Sequence, residues 1–176
     1  MNRLISLHEN LMRRLALLAP VVLPTLARLV FAAVLARYFW NSAATKLAGP
    51  LTPTDGAYIQ IFPRLVEELG YDFDRLGSFH WLVAVLGAWA EFALPALIVL
   101  GLATRIAALG MIIFVLVQSL TDVLGHGIML DAWFDTASDG LIADQRAMWV
   151  FLLTVPILLG AGPLSLDRVL RRMTGS

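Results

Sequence analysis

Residues 81–100 read WLVAVLGAWAEFALPALIVL, and within them only Glu91 is ionisable. A hydrocarbon core of about 30 Å takes about 20 helical residues to cross, so this stretch has the length of a membrane span. Its apolar residues do not alternate with period two, which disfavours a barrel strand. A helix is the remaining solution, because every backbone group left unpaired in lipid costs several kcal/mol. Working outward, four segments qualify at approximately 23–46, 79–100, 106–124 and 147–162. The expected fold is an all-α membrane protein, a four-transmembrane-helix bundle over 21–164.

Composition agrees. Of 176 residues, 59% are hydrophobic and 15% charged, against roughly 25% charged in a soluble domain, and mean hydropathy is +0.79. So short a chain lacks the interior to hide that much apolar surface from water. A water-soluble globule is excluded, and the lipid bilayer is the expected partner. Thirteen basic residues balance thirteen acidic ones, so no basic field argues for nucleic acid. The absence of cysteine excludes thiol nucleophiles, disulfides and cysteine-ligated clusters within the chain. Arg13 and Arg14 precede an apolar run as in a secretory signal, but Arg28 interrupts that run and no tidy cleavage site follows.

Charge placement sets the expected orientation. Arg3, Arg13 and Arg14, then Arg105, then Arg168, Arg171 and Arg172 fall on one side of a four-span topology, against Glu9 and Asp167. The connection over 47–78 carries Asp55, Glu67, Glu68, Asp72 and Asp74, and the one after the third span carries Asp122, Asp131, Asp135, Asp139 and Asp144. Both termini should therefore face the cytoplasm, in a multi-pass protein of a bacterial inner (plasma) membrane. Residues 1–20 read as an amphipathic interfacial helix, with Pro20 and Pro24 letting the chain turn into the membrane. The tail, 165–176, reads as a second surface helix with Ser165 as N-cap. FPRLVEELG (62–70) suits a short helix, with Pro63 at its start and Gly70 past its end.

Ionisable groups inside the spans are costly unless paired. Arg28 and Lys46 lie 18 positions apart, five turns and about 27 Å along one helix face, one at each interface. Arg37 lies between them and points the other way. Counted from the outer ends of the spans, Arg37 sits about 13 Å deep and Glu91 about 18 Å deep. An Arg37–Glu91 pair, ringed by Gln118, Thr154, Asn41, Ser42 and Thr45, is the expected polar centre. Such a pair either fixes helix register or marks a ligand or proton-transfer site. His80, His126, Asp122, Asp131 and Asp135 are metal ligands by type, but their spacing matches no metal pattern, and no metal site is expected. DAWFDTASDG (131–140) lacks the EF-hand spacing. Trp40, Trp81, Trp133, Trp149 and Tyr38 suit an interfacial aromatic belt; Trp89, beside Glu91, reads as packing. Gly87, Gly101, Gly110 and Gly160 are expected to admit close helix approach, and Pro95 and Pro156 to kink their helices.

Three motifs in order complete the reading: Arg28 followed by an apolar run into SAATKLAG (42–49) with Lys46; Glu91 followed by an apolar run into GLATR (101–105); and GAGPLSLDRVL (160–170). Over about 27–170 this pattern resembles the DoxX family of small four-helix membrane proteins. It departs in having Ala43 or Ala44 where glycine is usual, and in its intramembrane Arg37. The resemblance implies association with redox systems, including a subunit role in a thiosulfate:quinone oxidoreductase, and carries over Arg28, Lys46, Glu91 and Arg105. The leading expectation is a quinone-interacting subunit of a membrane oxidoreductase, with a protein partner in a membrane complex. In it Glu91 is the catalytic proton carrier, and Arg28, Arg37, Lys46, Arg105 and Gln118 hold the substrate. The rivals are a non-catalytic accessory or assembly subunit and a small transporter.

Overall fold

The computed structural model describes residues 2–128 and 143–175. Helix α1 (Asn2–Phe31) runs through a π-helical segment, Ala32–Ala36, into α2 (Arg37–Lys46). A small antiparallel hairpin follows, β1 (Leu47–Gly49) with β2 (Thr52–Pro53). Short helices α3 (Asp55–Ile61) and α4 (Pro63–Glu68) lead to α5 (Ser78–Leu100). Helix α6 (Thr104–Leu120) extends as a π segment over Thr121–Gly125, and α7 (Ala143–Leu159) and α8 (Leu166–Thr174) complete the chain. Among the described residues, three helical stretches are long and apolar enough to cross a membrane: Arg3–Lys46, Ser78–Leu100 and Thr104–Gly125. The protein is an all-α membrane protein with one small hairpin. Helix α7 is a shorter apolar helix packed mainly against α6 and α1.

The core follows helical spacing. Phe31, Leu35 and Phe39 come every fourth residue along α1 and α2; Ala107, Met111 and Val115 do the same on α6, and Trp149 and Leu153 on α7. With Ile98 of α5 they form one buried cluster, in which Phe39 meets Tyr38, Phe114 and Trp149 ring to ring. Lipid supplies no hydrophobic drive between helices, so close packing of small residues has to hold them. Ala43, Ala84, Ala88 and Ala108 are fully buried. At Gly110 a Cβ would approach Leu94 Cδ2 to 3.1 Å, so this glycine does admit the close approach of α5. The large apolar side chains left exposed, such as Leu86, Ile113 and Phe151, suit a lipid-facing surface.

Two expectations change. The chain does not turn at Pro20 and Pro24, because α1 continues through both. A proline omits one backbone bond per site, and the turns on either side carry the helix across. The last apolar helix stops at Leu159 rather than 162, since Gly160 takes φ +84°. The short helix expected over 62–70 is present as α4, with Gly70 at φ +62° just beyond it. The stretch 131–140, with Asp131, Trp133, Asp135 and Asp139, lies outside the described residues.

Candidate functional site

Lys46 is the last residue of α2, and it belongs to the buried stripe that includes Phe39 and Ala43. Helical side chains lean toward the N-terminus of their helix, so its stem reaches back into the bundle. There its Nζ lies 2.7 Å from both Glu91 Oε1 and Oε2 and donates to Ser42 Oγ at 2.7 Å. Ser42 Oγ in turn donates to Glu91 Oε1 at 3.3 Å. Lys46 is 7% and Glu91 1% exposed. Glu91 therefore pairs with Lys46.

The Arg37–Glu91 pair is not formed; Arg37 is exposed. Nine residues separate Arg37 from Lys46, about 900° of helical rotation, so the two point in opposite directions. The depth count also assumed that the two helices end at one level. They do not: Trp81 Nε1 donates to Leu51 O at 2.9 Å and Trp89 Nε1 to Pro50 O at 2.8 Å. The first three turns of α5 thus stand beside the hairpin that follows Lys46, which brings Glu91 level with Lys46.

Beside this pair is a cavity of about 250 Å³, lined among others by Tyr38, Ser42, Lys46, Gly87, Glu91 and Gln118. Gln118 Nε2 donates to the Tyr38 hydroxyl oxygen at 3.0 Å, while its buried Oε1 has no partner. Gly87 opens the wall, since a Cβ there meets nothing within 4 Å. Asp122 and His126 also line the cavity. His126 Nε2 lies 3.0 Å from Gln60 O, and Asp122 is ion-paired with Arg146, which also donates to Ser119 Oγ at 2.8 Å. Of the polar ring expected, Ser42 and Gln118 are present. Asn41 and Thr45 are exposed, and Thr154 turns back to Phe151 O at 2.7 Å. Among the described residues no three His, Asp or Glu side chains gather as a cation site.

Arg28 and Arg105 belong to the other end. Arg28, 6% exposed, donates to four carbonyls: Nε to Ile98 at 2.7 Å, Nη2 to Val99 at 2.6 Å, and Nη1 to Ala161 at 2.8 Å and Leu164 at 2.6 Å. It ties the end of α5 to the loop between α7 and α8. Gly101, at φ +71°, is required there, because a Cβ would fall 2.7 Å from Arg28 Cζ and 2.6 Å from Ser165 Cβ. Ser165 caps α8 as expected, its Oγ accepting from Arg168 N–H. Asp167 caps α6: Oδ1 accepts from Ala103 N–H at 2.7 Å, and Oδ2 from Thr104 N–H at 3.0 Å and Thr104 Oγ at 2.8 Å. Partial burial alone would raise the Asp167 carboxyl, but these bonds, with Arg171 nearby, hold it below its ordinary value. Arg105 makes one long bond, 3.4 Å, to Leu158 O. Of the six expected site residues, the structure gathers Lys46, Glu91 and Gln118, and sets Arg28, Arg37 and Arg105 apart.

The DoxX family model matches residues 23–122, more than half of the chain. The chain belongs to the DoxX family. The match covers the Lys46–Glu91 pair, Gln118, and both Arg28 and Arg105, and stops before α7. No curated protein and no solved structure matches the chain. For this DoxX protein, sequence reasoning missed Tyr38 as a cavity wall. It also missed Lys46 as the partner of Glu91, although the spacing of Phe39, Ala43 and Lys46 carries that signal.

Proposed function

We propose that this DoxX protein binds the head group of a quinone or quinol in the Lys46–Glu91 cavity, as a subunit of a membrane redox complex. In this reading α7 is the fourth span, both termini are cytoplasmic, and the cavity opens toward the outer half of a bacterial plasma membrane. Helix α8 lies in the headgroup layer. The observation that carries the reading is the unpartnered Gln118 Oε1 in the wall of a cavity that also holds a buried charge pair. A buried polar atom without a partner forfeits about 1–3 kcal/mol, and a ligand hydroxyl would recover it.

The chemistry of the wall fits such a head group. The Tyr38 oxygen accepts from Gln118 Nε2, which leaves its own proton to donate to a ligand carbonyl. Turning the amide over exchanges the roles: Tyr38 then donates to Oε1, and Nε2 is the unpartnered donor. One wall thus serves a quinol hydroxyl and a quinone carbonyl. At about 250 Å³ the space is below the roughly 300 Å³ at which pockets for drug-sized ligands begin. It suits one ring, with the tail leaving past Gly87 and Val83 into lipid. Bound quinone supplies two-electron chemistry in exchange with a partner subunit. This chain orients the ring through Tyr38 and Gln118 and holds or releases the proton at Glu91, with Lys46 compensating the charge.

Binding of a short-chain quinone is measurable by quenching of tryptophan fluorescence, since Trp149 lies 5.4 Å from the Tyr38 ring. Saturable quenching is expected, weakened about tenfold by Gln118→Leu or Gly87→Leu. Quenching that does not saturate, or that both variants leave unchanged, refutes the reading. The closed Lys46–Ser42–Glu91 contacts favour a second reading, an accessory subunit whose charges only hold the fold. A co-purifying partner complex that keeps full activity with Glu91→Gln would establish it.

A further inference from the structure

We propose a second ligand site at the Arg28 end: a recess formed by the start of α6, the α7–α8 loop and α8, which takes the phosphate of an anionic phospholipid. It shares no lining residue with the Lys46–Glu91 cavity and does not depend on that cavity's ligand.

Two adjoining hollows make up the recess, of about 300 Å³ and 380 Å³. Arg105 and Arg171 line both, and Arg168 lines the first. None of the three makes an ion pair among the described residues, and the guanidinium of Arg105 has only its long bond to Leu158 O. One carboxylate, Asp167, lines both hollows, but each of its oxygens already accepts from the start of α6. Three guanidinium groups and one carboxylate leave an excess of two positive charges. All three guanidinium groups are exposed, so the excess makes an attractive field for an anion at the edge of the bundle.

The geometry selects a phosphate with lipid attached. Guanidinium groups present paired donors that match phosphate oxygens. Gly160, at φ +84°, leaves the space beside Arg105 open, since a Cβ there would stand 3.8 Å from its Nε and Nη2. Ile106 and Leu170 line the second hollow, and both expose large apolar surfaces there. Cations beside exposed aliphatic surface at a helix end match a headgroup with its acyl chains, as basic pockets at membrane interfaces do. A free anion would use the arginines and leave the aliphatic rim unused.

The full chain is purified in a neutral detergent, stripped of lipid, and titrated with phosphatidylglycerol or phosphatidylcholine, with bound lipid read by native mass spectrometry. Phosphatidylglycerol should be retained about tenfold more strongly than phosphatidylcholine. Arg105→Gln with Arg171→Gln should abolish that preference. Arg105→Lys with Arg171→Lys, which keeps the charge but not the paired donors, should retain part of it, and it serves if the first pair misfolds. Changing Arg13 and Arg14 to Gln, on the exposed part of α1, should leave it intact. No preference in the wild type would overturn the proposal, as would a preference that survives Arg105→Gln with Arg171→Gln or vanishes with the α1 pair. Displacement of the lipid by millimolar inorganic phosphate would show a free-anion site and overturn the lipid assignment.

Discussion

Lys46→Met removes an ammonium that lies 2.7 Å from both oxygens of Glu91 and donates to Ser42. What remains is a carboxylate 1% exposed with a single hydroxyl for company. Breaking a buried ion pair from one side costs about 3–5 kcal/mol, whereas replacing both partners with apolar groups of similar size is about neutral. Lys46→Met and Glu91→Leu should therefore each lower stability by about 3 kcal/mol or more, and the double variant should lie within about 1 kcal/mol of wild type. The coupling in the cycle should then be about 5 kcal/mol or more. That size is diagnostic, because neutral hydrogen bonds between helices in a membrane average only about 0.6 kcal/mol. Unfolding in mixed micelles by rising detergent denaturant, followed by tryptophan fluorescence, gives the four free energies. The same cycle with Arg37→Met in place of Lys46→Met should show coupling below about 0.5 kcal/mol. Additive effects for Lys46 and Glu91, or coupling that runs through Arg37, would refute the pairing.

At the other end, Arg28→Lys keeps the charge but cannot span carbonyls on α5 and on the α7–α8 loop at once; a loss of about 2–4 kcal/mol is expected in the same unfolding assay, and wild-type stability would count against the clamp. Gly101→Ala should cost about 2 kcal/mol or more, from the positive φ and the contact with Arg28, read as a lower melting temperature. Asp167 has a lowered folded pKa, so its contribution is fully present above the ordinary value of 3.8 and is lost as pH falls through the lower folded value. Asp167→Asn should therefore flatten the pH dependence of stability below about pH 4, and an unchanged acid slope would exclude this group as its source.

What was legible in the chain follows from how each signal is encoded. The three long apolar helices follow from apolar run length, and Ser165 as a cap and α4 between Pro63 and Gly70 from local backbone chemistry, so these could be read directly. Which charges meet depends on azimuth and on the relative heights of two helices. Azimuth was present in the spacing of Phe39, Ala43 and Lys46, all buried in α2, and it points away from Arg37. Relative height was not. It is fixed by the hairpin Leu47–Pro53 and its acceptance of hydrogen bonds from Trp81 and Trp89, contacts between residues 30 or more positions apart. Tyr38 was read as an interfacial aromatic because its composition signal is the same at a membrane surface and in a cavity wall.

The two buried cations of the first helix are held by opposite means, and the difference decides which end can do chemistry. Arg28 is neutralised by no carboxylate in contact; four carbonyl dipoles hold it, and all four belong to helix ends and a loop that it thereby fixes. A guanidinium does not give up its proton in a protein, and a clamp with four of its five N–H donors engaged on the backbone has little to exchange. Lys46 instead meets a carboxylate and a hydroxyl, groups that can accept or release protons, beside a cavity whose wall already lacks one hydrogen-bond partner. A ligand arriving there need break no backbone contact to be bound. Rigidity at the Arg28 end and an incomplete hydrogen-bond set at the Lys46 end are therefore complementary: the first holds the helix ends, and the second is where, in the proposed reading, a bound molecule would change the charge balance.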